Sequence, residues 1–259
     1  MRLFWIRYRL QLVSACSILA LLGLWSFVTL GGWLGVKVLP SPVDLVQQAW
    51  TLVQKGYVGT PFSAHFTASL LRAATGFLGA MALGIPLGLM IGFYPVFAAA
   101  VTPIFAFIRP IPSIAFIPLV ILWFGIGEFS KVVLIFNAAF LYIVLNCAAG
   151  VRSVPRDLIR AGQSLGLSRR QLFRDVIFPA SLPHVLTGIK MGLVVSWTVV
   201  VAAELVAAQQ GLGYMIMDAA TYFRIPDLYI GIAVIGLIGF GLEMVQARIE
   251  RSMLHWSGK

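Results

Sequence analysis

The sequence predicts an all-α integral membrane protein whose single domain, residues 1–259, contains six transmembrane helices. Hydrophobic residues make up 60% of the chain and charged residues only 11%. Soluble globular proteins are about 45–50% apolar and about 25% charged, so this chain has too few charges to cover a soluble globule. Its formal net charge of +10 would suggest a nucleic-acid partner in a soluble protein. In a membrane protein, the positions of the basic residues should first be interpreted as evidence of which loops lie on the cytoplasmic side.

The spans follow from length and charge. A helix that crosses a hydrocarbon core about 30 Å thick needs about 20 largely uncharged residues, and five runs meet this requirement directly. The stretch between Tyr94 and Glu128 is too long for one helix and contains five prolines, which remove helix hydrogen bonds. There we expect an entry helix, a break at Arg109-Pro110-Ile111-Pro112, and then the crossing. The predicted spans are about 10–30, 67–93, 111–127, 131–151, 184–205 and 228–245.

The distribution of basic residues predicts the orientation. With the N-terminus inside, thirteen Lys and Arg residues lie on or near the inner side and four on the outer side, which is a positive-inside bias. The inner residues are Arg2, Arg7, Arg9, Arg152, Arg156, Arg160, Arg169, Arg170, Arg174, Lys190, Arg248, Arg251 and Lys259, and the outer residues are Lys37, Lys55, Lys131 and Arg224. We therefore expect both termini in the cytoplasm, membrane lipid around the chain, and no nucleic-acid partner.

The segment 31–66 is predicted to be extracytoplasmic. The run Leu39-Pro40-Ser41-Pro42 forms a rigid turn, and proline suits the first position of a helix. Apolar residues then recur at helical spacing, which predicts an amphipathic helix on the outer face. These residues are Val43, Val46, Ala49, Trp50 and Val53.

The segment 152–183 is the one long inner loop. Its pattern predicts a helix over 156–165 that Gly166 ends with a positive φ, then Ser168 as an N-cap completed by Gln171. Pro179 is expected to stop the second helix. The apolar residues expected to face the membrane domain are Leu158, Ile159, Ala161, Gly162, Leu165, Leu172, Phe173, Val176 and Ile177. Bundles usually connect helices with about 2–8 residues, so a structured loop favours docking to a cytoplasmic partner over a loop that only sets topology.

Six blocks, taken in order, resemble the permeases of ABC importers for nitrate, sulfonates, taurine and bicarbonate, and within that group the taurine and alkanesulfonate permeases. They are Leu39-Pro40-Ser41-Pro42, Arg109-Pro110-Ile111-Pro112, Leu122-Trp123-Phe124-Gly125-Ile126-Gly127, Gln163-Ser164-Leu165-Gly166, Ala202-Ala203-Glu204-Leu205 and Gly211-Leu212-Gly213-Tyr214. The inner loop also resembles the EAA loop of these permeases, through Arg160-Ala161-Gly162, Gly166 and Val176-Ile177-Phe178-Pro179. Arg160 stands where the family has Glu, and Gly162 where it has the second Ala.

The resemblance implies a type I ABC importer permease fold in the cytoplasmic (inner) membrane of a bacterium, working by alternating access. It implies a second permease copy, a cytoplasmic ABC ATPase dimer that binds ATP and Mg, and an external substrate-binding protein. The implied substrate is a small anion, taurine or another sulfonate, with nitrate, bicarbonate or another small solute as alternatives. The sequence has no Gly-x4-Gly-Lys-Ser/Thr loop, so it cannot bind ATP by that device, and we expect no cofactor, metal or catalytic residue in this chain.

Two sets of candidate residues follow. Those for coupling to the ATPase are Arg160, Ala161, Gly162, Gly166, Leu167, Ser168, Arg169, Phe173 and Pro179, with Gly166, Ser168 and Phe173 at the centre of the contact. Those for the substrate path are Arg109, Ser196, Trp197, Thr198 and Glu204. Small residues from Gly76 to Gly92 indicate close helix packing rather than a pore.

Two of the candidates for the path, Arg109 and Glu204, have a structural alternative. An Arg at the bilayer centre costs about 2.5–3.5 kcal/mol, so Arg109 should face protein or water. It either attracts an anionic substrate or, as we favour, bonds to carbonyls freed by Pro110 and Pro112 or extends to the inner surface. Ser196, Trp197 and Thr198 could donate hydrogen bonds to an oxyanion. Glu204 is expected to pair with an arginine or the backbone.

Two rival functions remain at this point. An integral-membrane enzyme would use Asp157, His184 or Glu204, which the sequence places far apart. A channel or secondary transporter would work without ATP. Co-purification of a partner that carries an ATP-binding loop would favour the importer over both.

Overall fold

The computed structural model describes residues 2–33, 35 and 38–254, except the side chains of 2–8, 10, 11 and 207. Lys37 and Lys259 therefore lie outside the described residues, as do the side chains of Arg2 and Arg7. Within the described part the structure is helical, with one isolated bridge between Tyr57 and Thr60. The predicted all-α class is confirmed.

The helices follow one another with short connections. In chain order they are α1 (Arg2–Leu30), α2 (Pro42–Lys55), α3 (Phe62–Phe93), α4 (Pro95–Ile108), a 3₁₀ helix (Ser113–Phe116), α5 (Ile117–Phe124), α6 (Glu128–Arg152), α7 (Arg156–Ser164), α8 (Arg169–Gln171), a π-helix (Leu172–Ile177), α9 (Phe178–Ala207), α10 (Leu212–Thr221) and α11 (Ile225–Met253).

Five described helices are long and apolar enough to cross a membrane, and the predicted number of six is reached if one bent pair of helices counts as a broken span. The unbroken ones are Leu12–Leu30, Phe62–Phe93, Glu128–Arg152, Arg169–Val206 and Ile225–Met253. The broken one joins Pro95–Ile108 to Ser113–Phe124 through a bend of 88°. The predicted break at 109–112 is therefore confirmed.

The predicted crossing over 111–127 is shorter than expected. Its helical part, Ser113–Phe124, extends only about 20 Å at the usual rise per residue, which is less than the hydrocarbon thickness of about 30 Å. Prolines before and inside the segment remove backbone donors, and Gly125, with φ of 76°, ends α5. This segment alone is therefore too short for the predicted crossing, and the bent pair is either one broken span or a re-entrant loop.

The chain contains two compact units, and the prediction of a single permease domain over residues 1–259 stays a prediction. The first unit is Met1–His65 with Met215–Val234, and the second is Phe66–Tyr214 with Ile235–Lys259. The second unit holds all of the predicted candidate residues.

In the first unit, α2 forms as predicted but with a different buried face. Ser41 caps it in a capping box with Asp44, and Leu45, Ala49 and Leu52 pack into a cluster with Met215 and Ile230. Of the apolar residues that the spacing singled out, only Ala49 joins this cluster, and the other four are exposed: Val43, Val46, Trp50 and Val53. The helix therefore has two apolar faces, and the exposed one suits a membrane interface.

Tyr57, in the connection between α2 and α3, is joined to α10 within the same unit. Its hydroxyl donates a hydrogen bond to the Asp218 carboxylate at 2.6 Å, and the Arg224 guanidinium lies 5.5 Å from its ring centroid. Burial, together with this hydrogen bond to Asp218, raises the pKa of Tyr57. The phenol therefore stays protonated and keeps donating throughout the neutral range.

In the second unit, glycines let α3 and α9 approach α6 closely. A Cβ added at Gly88 would lie 2.6 Å from the Val144 carbonyl oxygen, and one added at Gly188 would lie 2.8 Å from Cβ of Asn146. Any side chain at these positions would push the helices apart. The expectation that the small residues from Gly76 to Gly92 serve helix packing is confirmed.

Candidate functional site

A cavity of about 580 Å³ lies between the proline break, α6 and α9. We call it the Arg109 cavity. Its polar lining residues are Arg109 and Ser113 from the break, Tyr142 and Asn146 from α6, and Thr198 from α9. The structure thus brings together two predicted path residues, Arg109 and Thr198, that are far apart in the sequence.

The Arg109 guanidinium is available to a ligand. Its backbone N–H donates to Phe105 O at 2.9 Å and ends α4, while its side chain is exposed. Within the described part of the chain, no hydrogen bond or ion pair of this side chain is present, to the carbonyls near Pro110 and Pro112 or elsewhere. Of the two structural roles that we favoured from the sequence, bonding to those carbonyls is absent among the described residues, and extension of the side chain to the inner surface stays a prediction.

Tyr142 and Asn146 are lining residues that the sequence reasoning missed. They lie one turn apart on α6, and Asn146 Nδ2 donates to the Tyr142 carbonyl oxygen at 2.8 Å. The available signal was their spacing, since residues at i and i+4 share a helix face in a span that is otherwise nearly all apolar. With the guanidinium they place several hydrogen-bond donors around one cavity.

Ser196 and Trp197 do not line the Arg109 cavity. Ser196 is buried, and its hydroxyl donates to Leu193 O at 2.8 Å. The Trp197 indole donates to Ile235 O on α11 at 3.2 Å. Both donors are therefore satisfied inside the protein. Because a helix turns by about 100° per residue, only Thr198 of these three residues faces the cavity.

Glu204 is paired inside the second unit. It is 1% exposed, and its carboxylate accepts hydrogen bonds from Arg72 Nη1 at 2.6 Å, Ser69 Oγ at 2.8 Å and the Gly213 N–H at 2.9 Å. The expected pairing with an arginine is confirmed. A carboxylate with these partners has little capacity left for a substrate or for the chemistry that the enzyme alternative requires.

Arg72 extends this pairing into a network, which we call the Arg72 network. Its Nε and Nη2 donate to the Glu128 carboxylate, Nη2 at 2.8 Å, and its Nη1 also donates to Gln210 O at 2.6 Å. Lys131 Nζ lies 2.9 Å from Glu128 Oε1. Two cations and two carboxylates therefore neutralise one another and tie α3, α6 and α9 to the segment before α10.

The inner loop has the predicted turn between its two helices at Gly166, and we call this turn the corner. Gly166 follows α7 with a φ of 78°, and Ser168 and Gln171 form the predicted capping box. Five of the coupling candidates are exposed: Arg160, Ala161, Gly166, Ser168 and Arg169. Leu165, 81% exposed, and Leu158, 48% exposed, face outwards, so the expectation that they face the membrane domain is wrong.

The remaining coupling candidates lie towards the membrane helices. Gly162 is buried, and a Cβ added there would lie 2.7 Å from Cδ1 of Leu172. Leu167 and Phe173 are partly buried in the same apolar cluster. The Phe173 ring packs edge-on against Phe93 of α3, with centroids 5.0 Å apart. Phe173 therefore anchors the loop to α3, and the centre of the exposed corner consists of Gly166 and Ser168 without it.

Pro179 does not stop the second helix of the loop, contrary to the prediction. Helical structure continues from Arg169 to Val206, through the π-helix and with Pro179 in the first turn of α9. The π-helix Leu172–Ile177 lies just before Pro179, so the missing N–H of the proline falls where the regular α-helical hydrogen-bond pattern is already interrupted. The loop and the fifth span thus share one continuous helical segment.

The family comparison matches residues 84–255 to the description "Binding-protein-dependent transport system inner membrane component". The chain is 37% identical over 256 residues to the taurine transport system permease protein TauC of Escherichia coli K12, covering 98% of this chain and 93% of TauC. It is 33% identical to the putative aliphatic sulfonates transport permease protein SsuC of Bacillus subtilis, covering 91% and 84%. It is also 33% identical to the nitrate import permease protein NrtB of Synechocystis, covering 91% and 86%.

A solved structure of the MetNI methionine ABC transporter in an inward-facing conformation has the same fold. It aligns with a TM-score of 0.65 at 19% identity, over 74% of this chain and 95% of the solved chain. The resemblance to the nitrate, sulfonate and taurine group is confirmed by the relatives, and the type I importer fold by the structural likeness. The chain therefore belongs to the family of binding-protein-dependent transport system inner membrane components, the multi-pass permease subunits of ABC importers.

Proposed function

We propose that this permease carries a small sulfonate into the cell, with taurine as the first candidate. The observation that carries the proposal is the Arg109 cavity, where the guanidinium faces open space beside Tyr142 and Thr198. Taurine and aliphatic sulfonates are named for the relatives TauC and SsuC, which supports the same substrate class here.

The chemistry of the cavity suits an oxyanion. A guanidinium presents a planar fork of donors that matches an oxyanion with two or more acceptor oxygens. Attraction between opposite charges is stronger at low dielectric than in water, and the cavity is otherwise lined by apolar groups such as Leu141 and Val199. A sulfonate oxygen bound by Arg109 could accept a further hydrogen bond from Tyr142.

Transport would be driven from outside this chain. In this proposal two copies of the permease alternate between outward- and inward-open states, while an ATPase dimer with ATP and Mg acts from the cytoplasm and a soluble binding protein delivers substrate. The exposed corner of the inner loop, with Arg160, Gly166, Ser168 and Arg169, is the surface for the ATPase. Phe173 against Phe93 would pass its movement to α3.

Nitrate is the second candidate. The relative NrtB is 33% identical over 241 residues, and nitrate also carries several acceptor oxygens for a guanidinium. A competition assay distinguishes taurine from nitrate as the substrate. If taurine is the substrate, excess nitrate should leave taurine uptake unchanged.

The test is ATP-dependent uptake of radiolabelled taurine by cells that express the whole transporter. Arg109→Gln should lower uptake about ten-fold or more, because a charge-assisted hydrogen bond is lost, and Arg109→Lys should retain part of it. Arg251→Gln, an exposed arginine on α11, is the matched control and should transport normally. Wild-type uptake by the Arg109→Gln variant would refute the role of the guanidinium, and uptake without any ATPase partner would refute the importer itself.

A further inference from the structure

A groove of about 650 Å³ lies between the inner end of α3 and the inner loop, within the second unit. We call it the Phe93 groove. Its apolar lining comes from α3, between Ile85 and Tyr94, and from Phe173 of the loop. Two cationic residues of the loop, Arg169 and Arg170, complete the lining. The groove therefore combines an apolar wall with two positive charges.

The apolar wall has the length of one leaflet of a membrane. From Ile85 to Tyr94 the helix rises about 14 Å, which is close to half of a hydrocarbon core about 30 Å thick. Tyrosine is enriched where membrane and water meet, so Tyr94, the residue after the end of α3, marks the level of the lipid headgroups. Met90 is 45% exposed and Tyr94 49% exposed, so the groove is open along its length.

The two arginines lie beyond the inner end of this wall. The Phe173 ring packs on Phe93. Farther along the same helical segment, Phe178 lines a cavity with Met81, which precedes Phe93 on α3. The segment therefore runs antiparallel to α3. Because the arginines precede Phe173 by three and four residues, they lie past the end of α3, at the level of the headgroups.

No acidic side chain pairs with these arginines. Among the residues that the structure describes, neither Arg169 nor Arg170 belongs to an ion pair within 4.0 Å. The segment 152–183 contains six arginines and two aspartates, so its own charge is positive. Basic segments at the cytoplasmic surface attract anionic lipids, and a guanidinium can bind a phosphate through two parallel hydrogen bonds.

We propose that the Phe93 groove binds one anionic phospholipid of the cytoplasmic leaflet. One acyl chain lies along α3 against Pro86 and Met90, and the phosphate accepts hydrogen bonds from Arg169 and Arg170. The bound lipid covers the contact of α3 with the inner loop and holds the two together. The inference requires the inner loop to face the cytoplasm, but it requires no particular substrate.

The test measures which lipids the purified full chain retains in native mass spectrometry. Phosphatidylglycerol and phosphatidylcholine with identical acyl chains are offered together, so only the headgroups differ. We expect phosphatidylglycerol to be preferred about ten-fold or more, since each arginine near an anionic surface contributes about five-fold. Millimolar inorganic phosphate should not displace the lipid, because phosphate has no acyl chain to occupy the apolar wall.

The variants assign the preference to each part of the groove. Arg170→Gln should lower the preference for phosphatidylglycerol about five-fold, and Arg170 is chosen because Arg169 also belongs to the surface assigned to the ATPase. Arg174→Gln removes the same charge from an exposed residue of the same segment, outside the lining of the groove, and is the matched control. Met90→Trp fills the apolar wall and should lower retention of phosphatidylglycerol. Each variant is first checked for an unchanged elution volume and unfolding temperature.

Several results would overturn the proposal. They are equal retention of the two lipids by the wild-type chain, displacement by inorganic phosphate, equal effects of Arg170→Gln and Arg174→Gln, and unchanged retention by the Met90→Trp variant. The measurement is repeated on the complete transporter, and loss of the preference there would show that the ATPase covers the groove instead. Because lipid retention is measured without transport, a negative result leaves the uptake test of the proposed function intact.

Discussion

Arg72 lies inside a membrane-spanning helix although charged groups are unfavourable there. It is 6% exposed and is compensated by Glu204, Glu128 and the Gln210 carbonyl. The sequence predicted an arginine partner for Glu204 but could not identify it, because the two residues are 132 positions apart and only the packing of α3 against α9 joins them. The same limit applies to Arg109 and Thr198.

Removing Arg72 should destabilise the protein. Arg72→Leu leaves Glu204 buried without its cation, and we expect the free energy of unfolding to fall by about 3–5 kcal/mol, measured as a lower unfolding temperature of the purified chain in detergent. The double variant Arg72→Leu/Glu204→Leu should recover most of the loss, since an apolar pair can replace a buried ion pair at little cost. Arg251→Leu is the control for loss of a charge. A double variant no more stable than the single one would contradict this account.

At the scale of elements, helices were predicted well where spacing and caps act locally. The start of α2, the glycine corner and the capping box of the inner loop all appear as predicted. The faces were predicted less well, because α2 has two apolar stripes and only contact with α10 and α11 selects the Leu45 and Leu52 side. Likewise, Pro179 stops a regular α-helix, but a π-helical turn before it lets the helix continue.

The Gly166 corner should matter for coupling more than for insertion. Gly166 has a φ of 78°, and no atom lies within 4 Å of an added Cβ, so a side chain there acts through backbone strain of about 1–2 kcal/mol. We expect Gly166→Val to abolish ATP-driven taurine uptake while the protein still reaches the membrane, as checked by immunoblot of the membrane fraction. Gly166→Asn, which tolerates this conformation, should retain uptake. Normal uptake by Gly166→Val would show that the corner is not needed.

At the scale of the whole molecule, the chain contains two compact units. Local sequence signals do not reveal this division, since the first unit combines Met1–His65 with Met215–Val234. Orientation in the membrane is a property of the same scale. It depends on the difference in basic charge between the two sides, which no single residue determines.

The positive-inside bias predicts which surfaces face the cytoplasm. In spheroplasts carrying a Cys16→Ser background, Val46→Cys on exposed α2 should react with a membrane-impermeant maleimide. Arg170→Cys on the inner loop should react only after permeabilisation. Both positions are exposed, and the remaining native thiol, Cys147, is buried. Labelling of each introduced cysteine therefore depends only on which side of the membrane it lies. The reverse pattern would place the termini outside.

The sequence by itself determined the membrane character of the chain, the helical class, the break at 109–112, the glycine corner and capping box of the inner loop, and the family resemblance. These depend on composition, local spacing and short motifs, which each segment carries alone. Only the tertiary structure decided that Arg109 shares a cavity with Tyr142, Asn146 and Thr198, that Glu204 is neutralised by Arg72, and that Arg170 lines one groove with Phe93. Each of these depends on which faces of distant helices meet, and packing of the whole chain selects those faces.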